Sequence, residues 1–245
     1  MLSNIGSELI RFLKQLLIAI PGLYLGVVLH EVAHGYVAYR SGDPTARNLG
    51  RLTLNPLAHI DIFGSIVLPL MLILLNSGLL FGYAKPVPIN PGHFRNFRKG
   101  IRYSSLAGPA TNLVVAFVVG LIYGLFIYIL SITGFALNQE SGGAGYQAVL
   151  IINQMFQSAI YINIFLAIFN FIPIPPLDGA NILATFLPGN AMYRYLSIGR
   201  FGFLFIFILL YLSQRNIFGI NIFRDAISPA VSYIYKAFTW WSYLM

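Results

Sequence analysis

Three residues capable of chemistry stand where an apolar helix should carry none. The stretch GVVLHEVAHGYVAYR, residues 26–40, is almost entirely hydrophobic, yet it holds His30, Glu31 and His34 within five positions. The spacing H-E-x-x-H puts both histidines on one helical face, one turn apart. Two imidazoles so placed can reach a single Zn²⁺ at about 2.0–2.1 Å. Glu31, next to the first of them, sits to one side of the metal. From there it can take a proton from a metal-activated water and hand it to a leaving amine. The plainer alternative is a buried hydrogen-bonded cluster without metal. Ionisable groups inside a membrane segment are costly and mark functional sites, which favours the metal reading.

A catalytic zinc generally takes three protein ligands and keeps one position open. Asp178 is the natural third. It lies in NFIPIPPLDGANIL, residues 170–183, where Pro173, Pro175 and Pro176 forbid a regular helix. In lipid, irregular backbone survives only when buried in protein or lining a wet cavity, so the break faces the bundle interior. Asp also favours helix starts, so capping the helical-looking GANILATFL is a second reading of Asp178, compatible with the first.

The elements that position these groups follow from composition. The chain has 245 residues, 58% hydrophobic and 9% charged, with a mean hydropathy of +0.75. A soluble domain carries about 25% charged residues. So few charges cannot cover a water-facing surface, and several apolar runs reach the roughly 20 residues that cross a bilayer. The expected fold is all-α, a polytopic transmembrane bundle. Apolar segments fall at 15–40, 62–82, 103–130, 147–187 (interrupted) and 195–213, with a weaker one at 217–238. The length suits one compact bundle without an attached soluble domain, and the N-terminus lacks a signal-peptide cleavage site. There is no cysteine, which excludes disulfides and thiolate ligands. The net charge of +8 sits in loops between apolar spans. There it sets orientation and meets anionic headgroups, and no nucleic-acid partner is expected.

The sequence resembles the site-2 protease family of intramembrane zinc metalloproteases. HEVAH at 30–34, AGPATN at 107–112 and NFIPIPPLDG at 170–179 carry the resemblance, in the family's order, over residues 20–190. It is similar to the short, minimal members. The resemblance implies regulated intramembrane proteolysis: cleavage of a membrane-embedded helix, from a single-span protein or a signal-peptide-like segment, by zinc-activated water. His30, His34 and Asp178 match the ligands of one zinc per chain, and Glu31 the general base. Asn170 matches the asparagine that binds the substrate carbonyl or oxyanion. Tying down carbonyls freed by the prolines is an equal reading of Asn170. Gly108, Pro109 and Asn112 read as structural support, with small residues allowing close helix approach. The core is expected over 1–190, three helices around the metal. Residues 191–245 are expected to form further transmembrane or interfacial helices and a gate.

A shared metal constrains topology. His30, His34 and Asp178 come late in their spans, so those spans must run in parallel. Segment 62–82 must then re-enter on the side it left, bent around Pro69 or the NSG at 76–78. Charge agrees. Loops 40–61 and 83–102 hold Arg40, Arg47, Arg51, Lys85, Arg95, Arg98, Lys99 and Arg102, whereas loop 131–146 holds no Lys or Arg. The positive-inside rule puts the metal toward the cytoplasmic face of a prokaryotic plasma membrane and the N-terminus outside, although Arg11 and Lys14 run against it.

Residues 50–65 alternate apolar and polar at first, a strand-like signal that could serve substrate by strand addition. A surface loop folded on the bundle is the preferred reading. His59 and Asp61 are a candidate auxiliary ligand pair or gating contact, though a polar surface role is the simpler one for His59, as for His93. The C-terminal AFTWWSYLM fits an interfacial aromatic belt. The rival function is non-proteolytic metal binding, as a carrier or a pseudo-protease scaffold. A carrier needs polar residues across the membrane, and a scaffold has no need of Glu31.

Overall fold

The computed structural model describes residues 2–68, 71, 82–134, 143–202, 204, 206, 208, 211–212 and 223–240. Three long helices dominate: α1 (Leu2–Arg40), α2 (Phe97–Thr133) and α3 (Ala144–Phe171). Each is long and apolar enough to cross a bilayer, over Leu13–Arg40, Phe97–Thr133 and Ala144–Phe171. Shorter helices follow: α4 (Asp178–Ala184), α5 (Gly189–Ser197) and α6 (Ser228–Thr239). Among the described residues there is no strand. The fold is an all-α membrane bundle.

The three spans pack against one another in a triangle, with α6 against α2 and α3. Lipid is as apolar as leucine, so helices associate through close packing and hydrogen bonds rather than through hydrophobicity. Both devices are visible here. A Cβ on Gly22 would lie 2.6 Å from Ala159 Cα, and one on Gly120 would lie 2.6 Å from the Phe238 carbonyl. Asn163, fully buried, donates from its amide to the carbonyls of Ala159 (2.8 Å) and Gly22 (3.3 Å).

These contacts fix helix direction. Gly22 meets Ala159, and Gly26 meets Asn163 and Leu166, so α1 and α3 run in parallel. His34 meets Ser104 and His30 meets Asn112, so α2 is antiparallel to α1. Residues 41–96 therefore leave and return to the same end of the bundle. The predicted bend at Pro69 or 76–78 lies outside the described residues, as does much of 203–222.

Residues 50–65 form the loop folded on the bundle rather than a strand. Tyr24 of α1 donates to the Leu54 carbonyl at 2.9 Å. Pro56–His59 is a 3₁₀ turn capped by Asn55, and Ile62–Val67 is a π-helical turn capped by Asp61. Of the polar residues that suggested alternation, Asn55 is a cap, and Arg51 donates to the Lys85 carbonyl at 2.9 Å.

A second anchor ties this loop layer to the end of α1. Gly42 turns the chain at φ +114°, which favours glycine. The turn buries Asp43 completely. Burial pushes the Asp43 carboxyl up, but hydrogen bonds override this. The Thr45 hydroxyl, the Asn90 N–H (2.6 Å), His93 (3.0 Å) and the Thr45 N–H (3.0 Å) together hold it below the ordinary carboxylate value. A depressed folded pKa gives stability that is present above the unfolded carboxylate value, about 3.9, and is lost as pH falls through the folded one. Asp43→Asn is therefore expected to cost about 1–3 kcal/mol at pH 7. The gap between the parent and variant melting temperatures in detergent should close as pH is lowered below about 4.

Candidate metal centre

His30 and His34 lie one turn apart on α1, with ring centroids 4.4 Å apart and planes at 89°. Each ring is fixed from behind by α2. His34 Nδ1 donates to the Ser104 carbonyl at 2.6 Å, and His30 Nδ1 lies 3.2 Å from the Asn112 amide. A neutral imidazole that gives its Nδ1 proton to such a partner turns a bare Nε2 lone pair outward. The end of the Asn112 amide that faces His30 also lies 3.2 Å from the Gly26 carbonyl and 3.0 Å from the Gly108 carbonyl. Turned to donate to those carbonyls, it ties α2 to α1. Turned to accept from His30 Nδ1–H, it fixes the ring's tautomer.

The two Nε2 atoms converge at 2.9 Å, and each lies 3.2 Å from Asp178 Oδ2. Both histidines are buried, and Asp178 Oδ2 is a buried oxygen without a hydrogen-bond partner. Among the described residues, His30, His34 and Asp178 are the one group of His, Asp or Glu able to hold a metal ion. The fit to zinc is geometric as well as chemical. Ligand atoms at the corners of a tetrahedron with 2.0–2.1 Å bonds stand about 3.3 Å apart. Three protein donors leave the fourth position open.

Asp178 is the first residue of α4, but its carboxylate does not cap that helix. The capping position is Leu177, without a side-chain bond, and Asp178 points at the imidazoles instead. The proline break sets this up, with a cis bond between Pro175 and Pro176. A Cβ on Gly179 would overlap the Phe171 carbonyl, so α4 begins hard against the end of α3. Its far end is held by α2: Arg98 donates to the Thr185 carbonyl (2.7 Å) and Arg102 to the Thr185 hydroxyl (2.9 Å). Ser104, Arg98, Arg102 and Thr185 were not among the predicted site residues. The spacing of the two arginines on one helical face was the available signal.

Gly108 has a specific reason to be glycine. A Cβ there would lie 2.5 Å from His34 Nε2 and 2.6 Å from His30 Cε1. Pro109, beside it, is fully buried. Glu31 is half-buried, and its Oε2 accepts the Val87 main-chain N–H at 2.8 Å. Asn170 donates to the Leu166 carbonyl within its own helix at 2.9 Å. That carbonyl is not one of those which Pro173, Pro175 and Pro176 would leave unbonded. His59 is buried and bonded through Nε2 to the Thr53 carbonyl (2.9 Å), and it does not join the metal group. Asp61 caps its own turn, and His93 pairs with Asp43.

Residues 18–210 match the model of peptidase family M50. A protein of Bacillus subtilis (strain 168), named "Putative zinc metalloprotease YwhC", is 34% identical over 234 residues, 92% of this chain and 98% of its own. A protein of Mycolicibacterium smegmatis, named "Putative zinc metalloprotease Rip2", is 27% identical over 218 residues, 88% of this chain and 76% of its own. No solved structure matches the chain. The chain thus belongs to peptidase family M50, the site-2 protease family, and is a membrane zinc metalloprotease.

The geometry makes metal retention sensitive to one methyl group. Gly108→Ala, which pushes a Cβ into the imidazoles, should weaken zinc binding at least about tenfold, and Asp178→Asn should do so further. Gly189→Ala, where a Cβ meets nothing within 4 Å, should leave it unchanged. Zinc retained against a graded chelator checks all three.

Proposed function

We propose that this protein is an intramembrane endopeptidase that cuts transmembrane segments of other membrane proteins, with one zinc held by His30, His34 and Asp178. The carrying observation is the convergence of those three ligand atoms, two from a membrane-spanning helix and one from the first residue of the short helix α4. Zinc in such a site supplies a Lewis acid that polarises the scissile carbonyl and lowers the pKa of water.

The chain's own residues do the rest. Glu31 accepts the proton from water and delivers it to the leaving amine. The Asn170 amide, released from Leu166, donates to the substrate carbonyl oxygen as charge develops there. A peptide bond inside an intact helix is shielded, so the substrate helix enters laterally and unwinds locally beside the proline break. Residues 1–190 act as the catalytic core, and 191–245 gate access to it.

The same end of the bundle carries Arg40, Arg47, Arg51, Lys85, Arg95, Arg98, Lys99 and Arg102. By the positive-inside rule it faces the cytoplasm, with the N-terminus outside, in a prokaryotic plasma membrane.

The rival reading, a metal carrier or inactive scaffold, is disfavoured by two features. Residues 103–171 hold one charged residue, Glu140, which falls in sequence between α2 and α3. Those two spans therefore offer no charged relay across the membrane. Glu31 is also present beside the ligands, where hydrolysis needs a base.

The test is cleavage of a panel of single-span substrates by purified protein in lipid, comparing parent with Glu31→Gln and measuring zinc in both. Parent should cleave, and the variant should be slower by about 10²–10⁴-fold with equal zinc. Equal zinc with no cleavage by either would favour the carrier or scaffold.

A further inference from the structure

Glu31 receives its hydrogen bond from an unusual place. The donor is a main-chain N–H in KPVPIN, residues 85–90, which lies far from α1 in sequence. Pro86 and Pro88 have no N–H, so Val87 supplies the one donor of the PVP triplet. The segment is fastened on both sides of that donor. The Lys85 N–H donates to the His59 carbonyl at 2.9 Å. Arg51 donates to the carbonyls of Lys85 (2.9 Å) and Pro86 (3.3 Å). Beyond Pro88, the Asn90 N–H donates to the buried Asp43 carboxylate at 2.6 Å.

Val87 is itself seated on α1. It is buried, and its Cγ1 occupies the space that a Cβ on Gly35 would enter, at 2.7 Å. Gly35 lies four residues after Glu31, on the same face of the helix. The glycine leaves room for the segment to lie against α1, where the anchors on either side hold the Val87 N–H at the carboxylate one turn earlier. A long, flexible glutamate would otherwise sample several rotamers. Holding Oε2 sets the plane of the carboxylate and directs the basic lone pairs of its other oxygen.

We infer that the Val87 main-chain N–H is a positioning group for Glu31, and that segment 85–90, anchored by Arg51, His59 and Asp43, exists to present it. This rests on the reading of Glu31 as the base. The donor is neutral and backbone-borne, so it orients the carboxylate without a competing charge. It also couples the base to the loop layer between α1 and α2.

The test compares Val87→Pro, which removes the N–H in an already proline-rich extended segment, with Val87→Ala, which keeps it. Both are made in the full chain with zinc, in lipid, against a substrate the parent cleaves. Val87→Pro should lower kcat about tenfold or more, with zinc at the parental level and KM within about twofold. Val87→Ala should stay within about threefold of parent in kcat. Hydrogen exchange at the Val87 amide should be slow in the parent and faster in Glu31→Ala, whether or not a cleaved substrate is known. Should Val87→Pro lose its zinc, replacing the Val87 amide with an ester removes the same donor and is judged by the same kcat criterion. Parental kcat without the N–H, equal losses in the proline and alanine variants, or exchange indifferent to Glu31 would each overturn the inference. An inactive parent that still shows Glu31-dependent exchange would instead count against the protease reading, leaving the contact in place.

Discussion

Two imidazole Nε2 atoms and a carboxylate oxygen face one another at 2.9–3.2 Å inside a membrane bundle. Without a positive charge among them the arrangement is unfavourable on two counts. With their Nδ1 protons given to α2, the Nε2 lone pairs repel each other and the oxygen, and the carboxylate has lost its water. A cation at their centre relieves both. The rest of the fold is legible as what it takes to bring three such atoms to one point. α1 and α3 must be parallel, α3 must break where it does, and α2 must come close enough to back both rings. That last demand is why Gly108 can bear no Cβ.

The helices are held by means suited to lipid. Close approach at Gly22 and Gly120, and the buried Asn163 amide, replace the hydrophobic drive that water would provide. The metal centre borrows the same elements. Ser104 and Asn112 of α2 fix the ring orientations, while Arg98 and Arg102 of the same helix grip Thr185 at the end of α4. One helix thus sets both halves of the candidate site: the histidines from behind, and the aspartate through the short helix it begins. Carboxylate and imidazole then meet without either lying on a flexible loop.

Much of this was legible in the sequence, and what was not has physical causes. The H-E-x-x-H spacing and the three prolines before Asp178 each carry a local geometric meaning, so the convergence of His30, His34 and Asp178 could be anticipated from them. The parallel spans followed from requiring one depth. Several supporting contacts run through main-chain atoms, at Ser104, Thr185 and Val87, which leave no residue-type signature. Gly108 read as a generic packing residue because its reason lies in rings 74 and 78 positions earlier in the chain. Alternation at the start of 50–65 suggested a strand because Arg51 and Asn55, which bind a neighbouring segment and cap a turn, fall at polar positions of that pattern.

The central claim is that the convergent atoms form a zinc site, and zinc K-edge X-ray absorption on the purified protein tests it most directly. The account predicts nitrogen or oxygen ligands at about 2.0–2.1 Å, with outer-shell scattering from two imidazoles that falls to one in His34→Ala. A spectrum without imidazole scattering, or one that His34→Ala leaves unchanged, would contradict it.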